Sequence, residues 1–496
     1  MKKSLVAAAA IVMLGAAWTG ASWYTGKLAE QHVVKLTESA NKEIKQRLPD
    51  AAIKLVVQDH QRGVFSSEAR FVLRTDAGSA DSETSPNPDD GITVTATISH
   101  GPFPLTQLKK FHFSPSMASV HSMFADTPAA KKLFEITKGQ SLLQADSRIS
   151  YNGDTSSDIV IMPFDYQNDS LTIESSGSTL RADISGNGSE VVLEGRSDTL
   201  GVSCKNKQDK LEQLTVKGIT LTGHNKSGKF DIRIGDNQLD IEQLIINIDG
   251  HGATTLSGFH LKSHLDENEH HFNGGLGYTL DALNIHGSDF GSGQLAVNFE
   301  KLDGMAVKQF IDVYNQKMLQ QRKNSDFYAW KTEVNALLAA KLPAFLQANP
   351  TFSIAPLSWK NEKGESTFTL SVALTNPAPA TTPARERDTP LIQAVKNLDM
   401  QLTIPMAMAT ELTIHMARLQ GNSDEESQKL AQQQVQGLAA LGQMFRLTTT
   451  KDEAISSTVH YADNSAEVNG QKLSVEEFID LFSVFGTSLP AMPSAQ

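Results

Sequence analysis

The sequence predicts an α+β fold: an extended, mostly antiparallel β-sheet with covering helices, preceded by one N-terminal transmembrane helix. Three observations point there. An uncharged run, SLVAAAAIVMLGAAWTGASWY from Ser4 to Tyr24, follows Met1, Lys2 and Lys3. Many short segments alternate apolar with polar residues between clusters of Gly, Asn, Asp and Ser, which is the pattern of half-buried strands. Three later segments space their apolar residues three and four apart, as helices do.

The run from Ser4 to Tyr24 is about as long as a helix needs to cross the hydrocarbon core of a bilayer. Leu5, Val6, Ile11, Val12 and Leu14 supply its apolar bulk. Trp18, Trp23 and Tyr24 cluster at the far end, where aromatic rings favour the membrane–water interface. A cleaved signal peptide is the competing reading, because Thr19 and Ala21 satisfy the small-residue rule and the mature chain would begin at Ser22. The length of the run and its aromatic end favour a retained anchor over residues 1–26. Lys2 and Lys3 then keep the N-terminus in the cytoplasm and send the remaining chain outward. No later segment is long and uncharged enough for a second span.

Residues 27–49 read as an amphipathic stalk or docking helix, with Leu28, Val33, Leu36, Ala40, Ile44 and Leu48 largely on one face and Pro49 at its end. Residues 50–304 form a β-rich region. Its strands include Ile53–Val57, Phe65–Leu73 and the alternating Ile92–Ile98, with a polar loop at Ser79–Gly91 and a short helix at Thr127–Thr137. A loose pattern recurs there: Leu211, Leu214, Val216 and Gly218, then Leu280, Leu283, Ile285 and Gly287, with a longer version at Ile241, Leu244, Ile246 and Gly250. It suggests strands stacked as successive meanders of a long antiparallel sheet. Residues 305–350 turn helical, with Pro343 interrupting or ending the run. The α+β C-terminal region, 351–487, carries strands at Ile354–Trp359, Phe368–Leu374, Leu398–Ile404 and Ala454–Tyr461, and a loop at Thr375–Pro390. It also holds a helical hairpin from Met406 to Phe445 broken near Gly421–Asp424, and a last helix opened by Ser474 with Glu477 as a capping box. Residues 488–496 are a tail.

The formal net charge of −12 argues against non-specific binding to nucleic acid or to an anionic lipid surface, and leaves room for a local basic patch. The single cysteine, Cys204, excludes an intramolecular disulfide and a thiolate metal cluster. Gly223, Gly228 and Lys229 have P-loop spacing, but Phe230 stands where a hydroxyl should hold magnesium, and both flanks read as strands. Asp266, Glu267, Glu269, His270 and His271 crowd together at an expected hairpin tip, where a solvated turn accounts for them better than a metal does. His100, His112 and His121 lie near Ser114, Ser116 and Ser119, yet neither GxSxG nor HExxH occurs, so a hydrolase would need a dispersed site. No catalytic, cofactor-binding or metal-binding residue is assigned, no cofactor is implied, and the chain is expected not to be an enzyme. An apolar groove on the sheet that binds or transfers a lipid is a further possibility.

Several segments carry a family resemblance: RGVFSS (Arg62–Ser67), HGPFPLTQLKKF (His100–Phe111), PSMAS (Pro115–Ser119), DFGSGQL (Asp289–Leu295), IAPLSWKNEKGES (Ile354–Ser366), LTIPMAMATEL (Leu402–Leu412), GQMFRLTT (Gly442–Thr449) and NGQKLS (Asn469–Ser474). They resemble the YdgA-like proteins, enterobacterial envelope proteins with a large domain of unknown function. The resemblance implies an inner-membrane protein with its bulk in the periplasm of a Gram-negative bacterium, self-associating as a homodimer. It brings no catalytic residues. A weaker similarity of Leu280–Phe299 to AsmA-like envelope proteins, with their long lipid-associated sheets, adds to the lipid reading. The expectation is thus an anchored periplasmic binding or scaffolding component, with lipid binding and a dispersed hydrolase as alternatives.

Overall fold

The computed structural model describes residues 2–47, 53–75, 91–206, 209–248, 252–321, 327–376 and 394–479. The Ser79–Gly91 and Thr375–Pro390 loops fall almost wholly outside these residues, and the 488–496 tail wholly so. The chain divides into two compact units, the first mainly Met1–Asp209 and Gln213–Ser227, the second mainly Gly228–Asn315 and Ser325–Gln496. Twenty-two strands are described, and the pairings laid out below are all antiparallel.

In the first unit a single helix, α1 (Lys2–Arg47), runs through the residues expected as anchor and stalk, with no break at residue 26. Among the described residues no helix is long and apolar enough to cross a membrane. Side chains of α1 are described only from Ala16 onward, so Leu5, Val6, Ile11, Val12 and Leu14 lie outside that description. The transmembrane helix is therefore the part of the expected fold that the structure does not show.

Helix α1 lies on a meander of β1 (Ile53–Arg62), β2 (Ser66–Thr75), β3 (Ile92–His100) and β4 (Ala118–Phe124). Alternation explains the packing: Ala96 and Ile98 of β3 point inward, whereas Thr97 between them is exposed. Ala29 and Val33 of α1 close over Ala69, Ala96, Ile98 and Ala118. These small residues let the helix approach the sheet closely. Past β4, a short 3-10 turn at Pro128–Ala130 and helix α3 (Lys131–Ile136) occupy the expected 127–137 helix. Before them α2 (Leu105–Lys109) sits in the β3–β4 connection.

The sheet continues through β5 (Leu143–Ile149), β6 (Thr155–Ile161), β9 (Ser178–Ile184) and β10 (Glu190–Lys205). One edge of β10 serves two strands. Its first half pairs with β9 and its second with β8 (Leu171–Ser175), which in turn pairs with β7 (Phe164–Gln167). Gly177 divides β8 from β9 at φ 87°, where a Cβ would meet the Ile161 carbonyl oxygen at 2.7 Å, so only glycine fits. Strand β11 (Leu211–Ser227) follows.

The second unit is a wider meander: β12 (Arg233–Ile248), β13 (Thr254–Glu267), β14 (His271–Ile285), β15 (Ser288–Asp303), β16 (Thr351–Asn361), β17 (Gly364–Leu374), β18 (Val395–Pro405) and β20 (Ala454–Ala462). Each pairs with the next. The far edge of β20 carries β19 (Thr449–Lys451) and β21 (Ser465–Val468), and β22 (Gln471–Ser474) closes the row. Helices α4 (Gly304–Gln321) and α5 (Phe327–Leu346) interrupt the meander between β15 and β16. Pro343 stays inside α5, which ends one turn later with Leu342 and Leu346 on Val372, Leu374, Ala394 and Val395. The helical hairpin is α6 (Met406–Leu419) and α7 (Asp424–Met444), opened by a Ser423–Glu426 capping box at the expected break. Ser474 and Glu477 form the second box as expected.

The recurring apolar–glycine pattern is not one structural repeat. Gly218 lies inside β11 at φ 64°, Gly287 lies in the β14–β15 turn at φ 85°, and Gly250 is outside the described residues.

The edge of β1 is closed from α1. Asn41 accepts from the Leu55 amide and donates to the Leu55 carbonyl, both at 2.8 Å, imitating a strand partner. Replacing Asn41 with Ala removes both bonds and is expected to lower the stability of the first unit by about 1 kcal/mol. Denaturant titration gives the stability, and hydrogen exchange should speed up at Leu55.

Candidate functional site

The most tightly built polar constellation lies where α1 crosses the ends of β2 and β3. His100, the last residue of β3, is only 2% exposed. Its Nδ1 is 3.0 Å from the Val64 carbonyl oxygen and its Nε2 is 2.7 Å from Ser67 Oγ. A carbonyl only accepts, so Nδ1 carries the proton and Nε2 accepts from the Ser67 hydroxyl. Burial lowers the His100 pKa, the Val64 bond opposes this, and Arg62 and His60 add to the lowering. The neutral ring is the stable form.

Gly26 of α1 sits directly on this ring. A Cβ there would meet His100 Cε1 at 2.5 Å. Beside it, Thr25 Oγ1 lies 2.9 Å from the Gly101 carbonyl oxygen and 3.0 Å from that of Ser22, its one proton shared between the two acceptors. Ser22 is fully buried and Thr25 is 2% exposed. At the rim Glu30 meets Arg62 at 3.3 Å, and the Arg62 guanidinium lies 5.6 Å from the centre of the Trp23 ring. Trp18 packs on Phe65 with ring centres 5.5 Å apart. Of the aromatic residues read as interface markers, Trp18 and Trp23 thus have protein partners, while Trp23 and Tyr24 stay about half exposed.

The parts of a hydrolytic triad are present but separated. The Ser67–His100 pair has a backbone carbonyl in the carboxylate's place and is roofed by Gly26. His–carboxylate pairs occur elsewhere: His121 with Asp146 at 2.8 Å, His224 with Glu190 at 2.7 Å, His260 with Asp240 at 2.5 Å, His264 with Asp236 at 2.7 Å and His460 with Asp399 at 2.6 Å. These are cross-strand pairs on exposed or half-exposed sheet surface. Asp236 and Asp266 raise the His264 pKa. Burial pushes the Asp240 carboxyl up, but the His260 and Gln238 bonds prevail and hold it low. Ser119, one of the serines read as a nucleophile candidate, accepts from Gln107 at 2.9 Å, whereas Ser116 Oγ is buried with no partner. His100, His121 and these serines do not converge on one another.

The remaining sequence candidates become turns. Gly228 and Lys229 follow β11 as a loop in which the Lys229 amide donates to Glu267 at 2.6 Å and its ammonium pairs with Glu269. The P-loop-like spacing therefore cradles a carboxylate. Asp266 and Glu267 end β13, and His271 begins β14, so the acidic cluster is a hairpin tip. Among the described residues no group of three or more His, Cys, Asp or Glu is placed to hold a metal.

The second candidate is the β13–β18 surface. Directly paired residues share a face, so register aligns Leu261, Tyr278, Leu295, Leu357, Phe368 and Leu402 in one row. Leu276, Val297, Ile354, Leu370 and Met400 form the next. Both rows are half-buried along most of their length, and Leu357 is 44% exposed. The opposite face carries His260, Thr279, Gln294, Ser358, Thr367 and Thr403. In the first unit the sheet bears a depression of about 430 Å³ lined by polar and apolar residues, including Asp158, Ile159, Arg181 and Leu221.

Removing the Gly26–His100 contact has a testable sign. Glycine in a helix interior costs about 1 kcal/mol relative to alanine, so propensity alone favours Gly26→Ala. The doubly hydrogen-bonded ring cannot retreat, so Gly26→Ala is expected to destabilise the first unit in denaturant unfolding. A pH effect follows from the same ring. Unfolded His100 takes up a proton near its ordinary value of 6.5 while the buried ring resists it. Stability is complete above that value and declines as pH falls through it. H100N should flatten that decline in midpoints measured at neutral and mildly acidic pH.

Comparison with known proteins accords with the motif resemblance. The chain matches the bacterial protein family of unknown function DUF945 over residues 1–476. It is 35% identical to Protein YdgA of Escherichia coli strain K12, covering 100% of this chain and 99% of that protein. It is 28% identical to the uncharacterized protein YihF of the same organism, over 95% of this chain and 96% of that one. An uncharacterized protein of Haemophilus influenzae is 23% identical over 70% of this chain and 97% of its own length. No solved structure matches. With nearly its whole length inside the family match and a full-length relative in YdgA, the chain belongs to the DUF945 family.

Proposed function

We propose that this protein is an inner-membrane-anchored component of the cell envelope that works on the periplasmic side by binding rather than by catalysis. The apolar face of β13–β18 is its working surface, and an acyl chain of a lipid is its ligand. One observation carries the reading. Two adjacent apolar rows cross the sheet with most of their side chains only half-buried. Contiguous apolar surface left partly open to solvent marks interaction sites in folded proteins. The clasp around His100 supports the same reading from the other side, because its Ser–His pair is closed off beneath α1. The uncharged Ser4–Tyr24 run behind Lys2 and Lys3 supplies the tether.

Native mass spectrometry of protein extracted gently from membranes tests it. The expected result is a chain carrying phospholipid mass that Leu357→Asp strips away, since that exposed site tolerates the change while its charge repels an acyl chain. Unchanged lipid in Leu357→Asp, a bare monomer, or a lipid-free homodimer would each overturn the ligand assigned here.

A further inference from the structure

We infer that the end of the first unit around Phe65 and Phe111 is a bilayer-contact surface that seats the folded domain directly on the headgroups of the membrane holding its tether. This rests on the anchor reading of residues 1–26 and adds a second contact to it.

Ser22 is fully buried in protein, so the part of α1 able to lie in lipid ends before it. The run from Ser4 to Ala21 makes about 27 Å of helix at about 1.5 Å per residue. A bilayer core is about 30 Å thick. All of that run is consumed in crossing, and no spacer remains between the bilayer and the docked part of α1. Trp18 lies about 4.5 Å of helix inside the outer end of that run, so whatever surrounds it must reach the membrane interface. Trp18 is in contact with Phe65.

Topology brings more to the same level. The β1–β2 turn, the β3–β4 connection and the β5–β6 turn share one end of the sheet, since Arg62 pairs with Ser67, His100 with Ala118, and Ala118 with Ile149. Thr25 holds Gly101 at that end. The aromatic residues emerging there are exposed: Phe111 by 81%, Phe113 by 65%, Tyr24 by 56%, Trp23 by 49%, with Phe65 and Phe103 at 38%. Phe111 is held at φ 60°, unusual for a bulky side chain, by a turn in which its amide donates to the Leu108 carbonyl and the His112 amide to the Gln107 carbonyl. The turn fixes the backbone there, and the ring it carries stands open to solvent. Lys27 and Lys109 are exposed among these rings and pair with no carboxylate among the described residues. Aromatic rings with interspersed lysines are the composition that favours a membrane interface. A bilayer fits this surface better than a protein partner does, because the tether brings a bilayer to it.

Fluorescence quenching in vesicles tests the inference on the full chain. With Cys204→Ser as background, an environment-sensitive dye is attached to Phe111→Cys or Phe113→Cys, to Ala10→Cys in the tether, or to Asp169→Cys. Asp169 is exposed in the β7–β8 turn, beyond the end of β10 remote from these rings. The chain is reconstituted into phosphatidylethanolamine–phosphatidylglycerol vesicles containing lipids with a nitroxide near the headgroup or midway along the acyl chain. The expected result is blue-shifted emission and loss of most fluorescence at 111 and 113, quenching at 10, and none at 169. Quenching at 10 without quenching at 111 and 113 would overturn the bilayer-contact surface and leave the tether standing. No quenching at 10 would overturn the anchor reading and this inference with it.

Discussion

The contact on which the first unit depends is the one between Gly26 and the His100 ring. The helix backbone rests there on the ring with no helix side chain between them. The ring itself is held at both nitrogens, so it behaves as part of the sheet rather than as a movable side chain. Everything nearby follows from that approach. Ala29, Ala69, Ala96 and Ala118 are small because the helix axis is already close. Thr25 turns its hydroxyl to Gly101, and Asn41 further along α1 reaches the open edge of β1. A helix that would otherwise be a loose stalk becomes a structural member of the domain.

The same geometry separates polar from catalytic. A serine and a histidine in hydrogen-bond contact suggest nucleophilic chemistry, which also requires an orienting carboxylate and a path for substrate. Here burial keeps the ring neutral and α1 covers it. The carboxylate partners sit with other histidines, paired across neighbouring strands on the polar sheet face. In the second unit one face of each strand takes this polar dress and the other is aliphatic and aromatic. That division is the elementary consequence of period-two alternation in an antiparallel sheet.

Local patterns were readable in advance where one short segment contains its own explanation. Ser474 and Glu477 are three residues apart, so their capping box needs nothing from elsewhere in the chain. Gly421–Asp424 breaks the α6–α7 hairpin for the same reason. Reading failed where the partner is distant in sequence. Gly26 follows the apolar run and Asn41 lies in the stalk segment, and nothing local marks either one. Nothing local marks Gly177 as the divider of two strands sharing one edge of β10. The apolar–glycine pattern misled because a positive-φ glycine serves a turn at Gly287 and a strand interior at Gly218.

By itself the amino-acid order determined the α+β character, the sites of most strands and helices, and the improbability of a P-loop at Gly223–Phe230, since alternation, helical spacing and turn residues act over a few neighbours. Tertiary structure alone decided that α1 is docked rather than free, that Ser67 and His100 form a sealed pair, and which strands align their apolar rows. Those outcomes depend on burial and register between segments tens of residues apart, where a shift of one residue would turn each side chain to the opposite face.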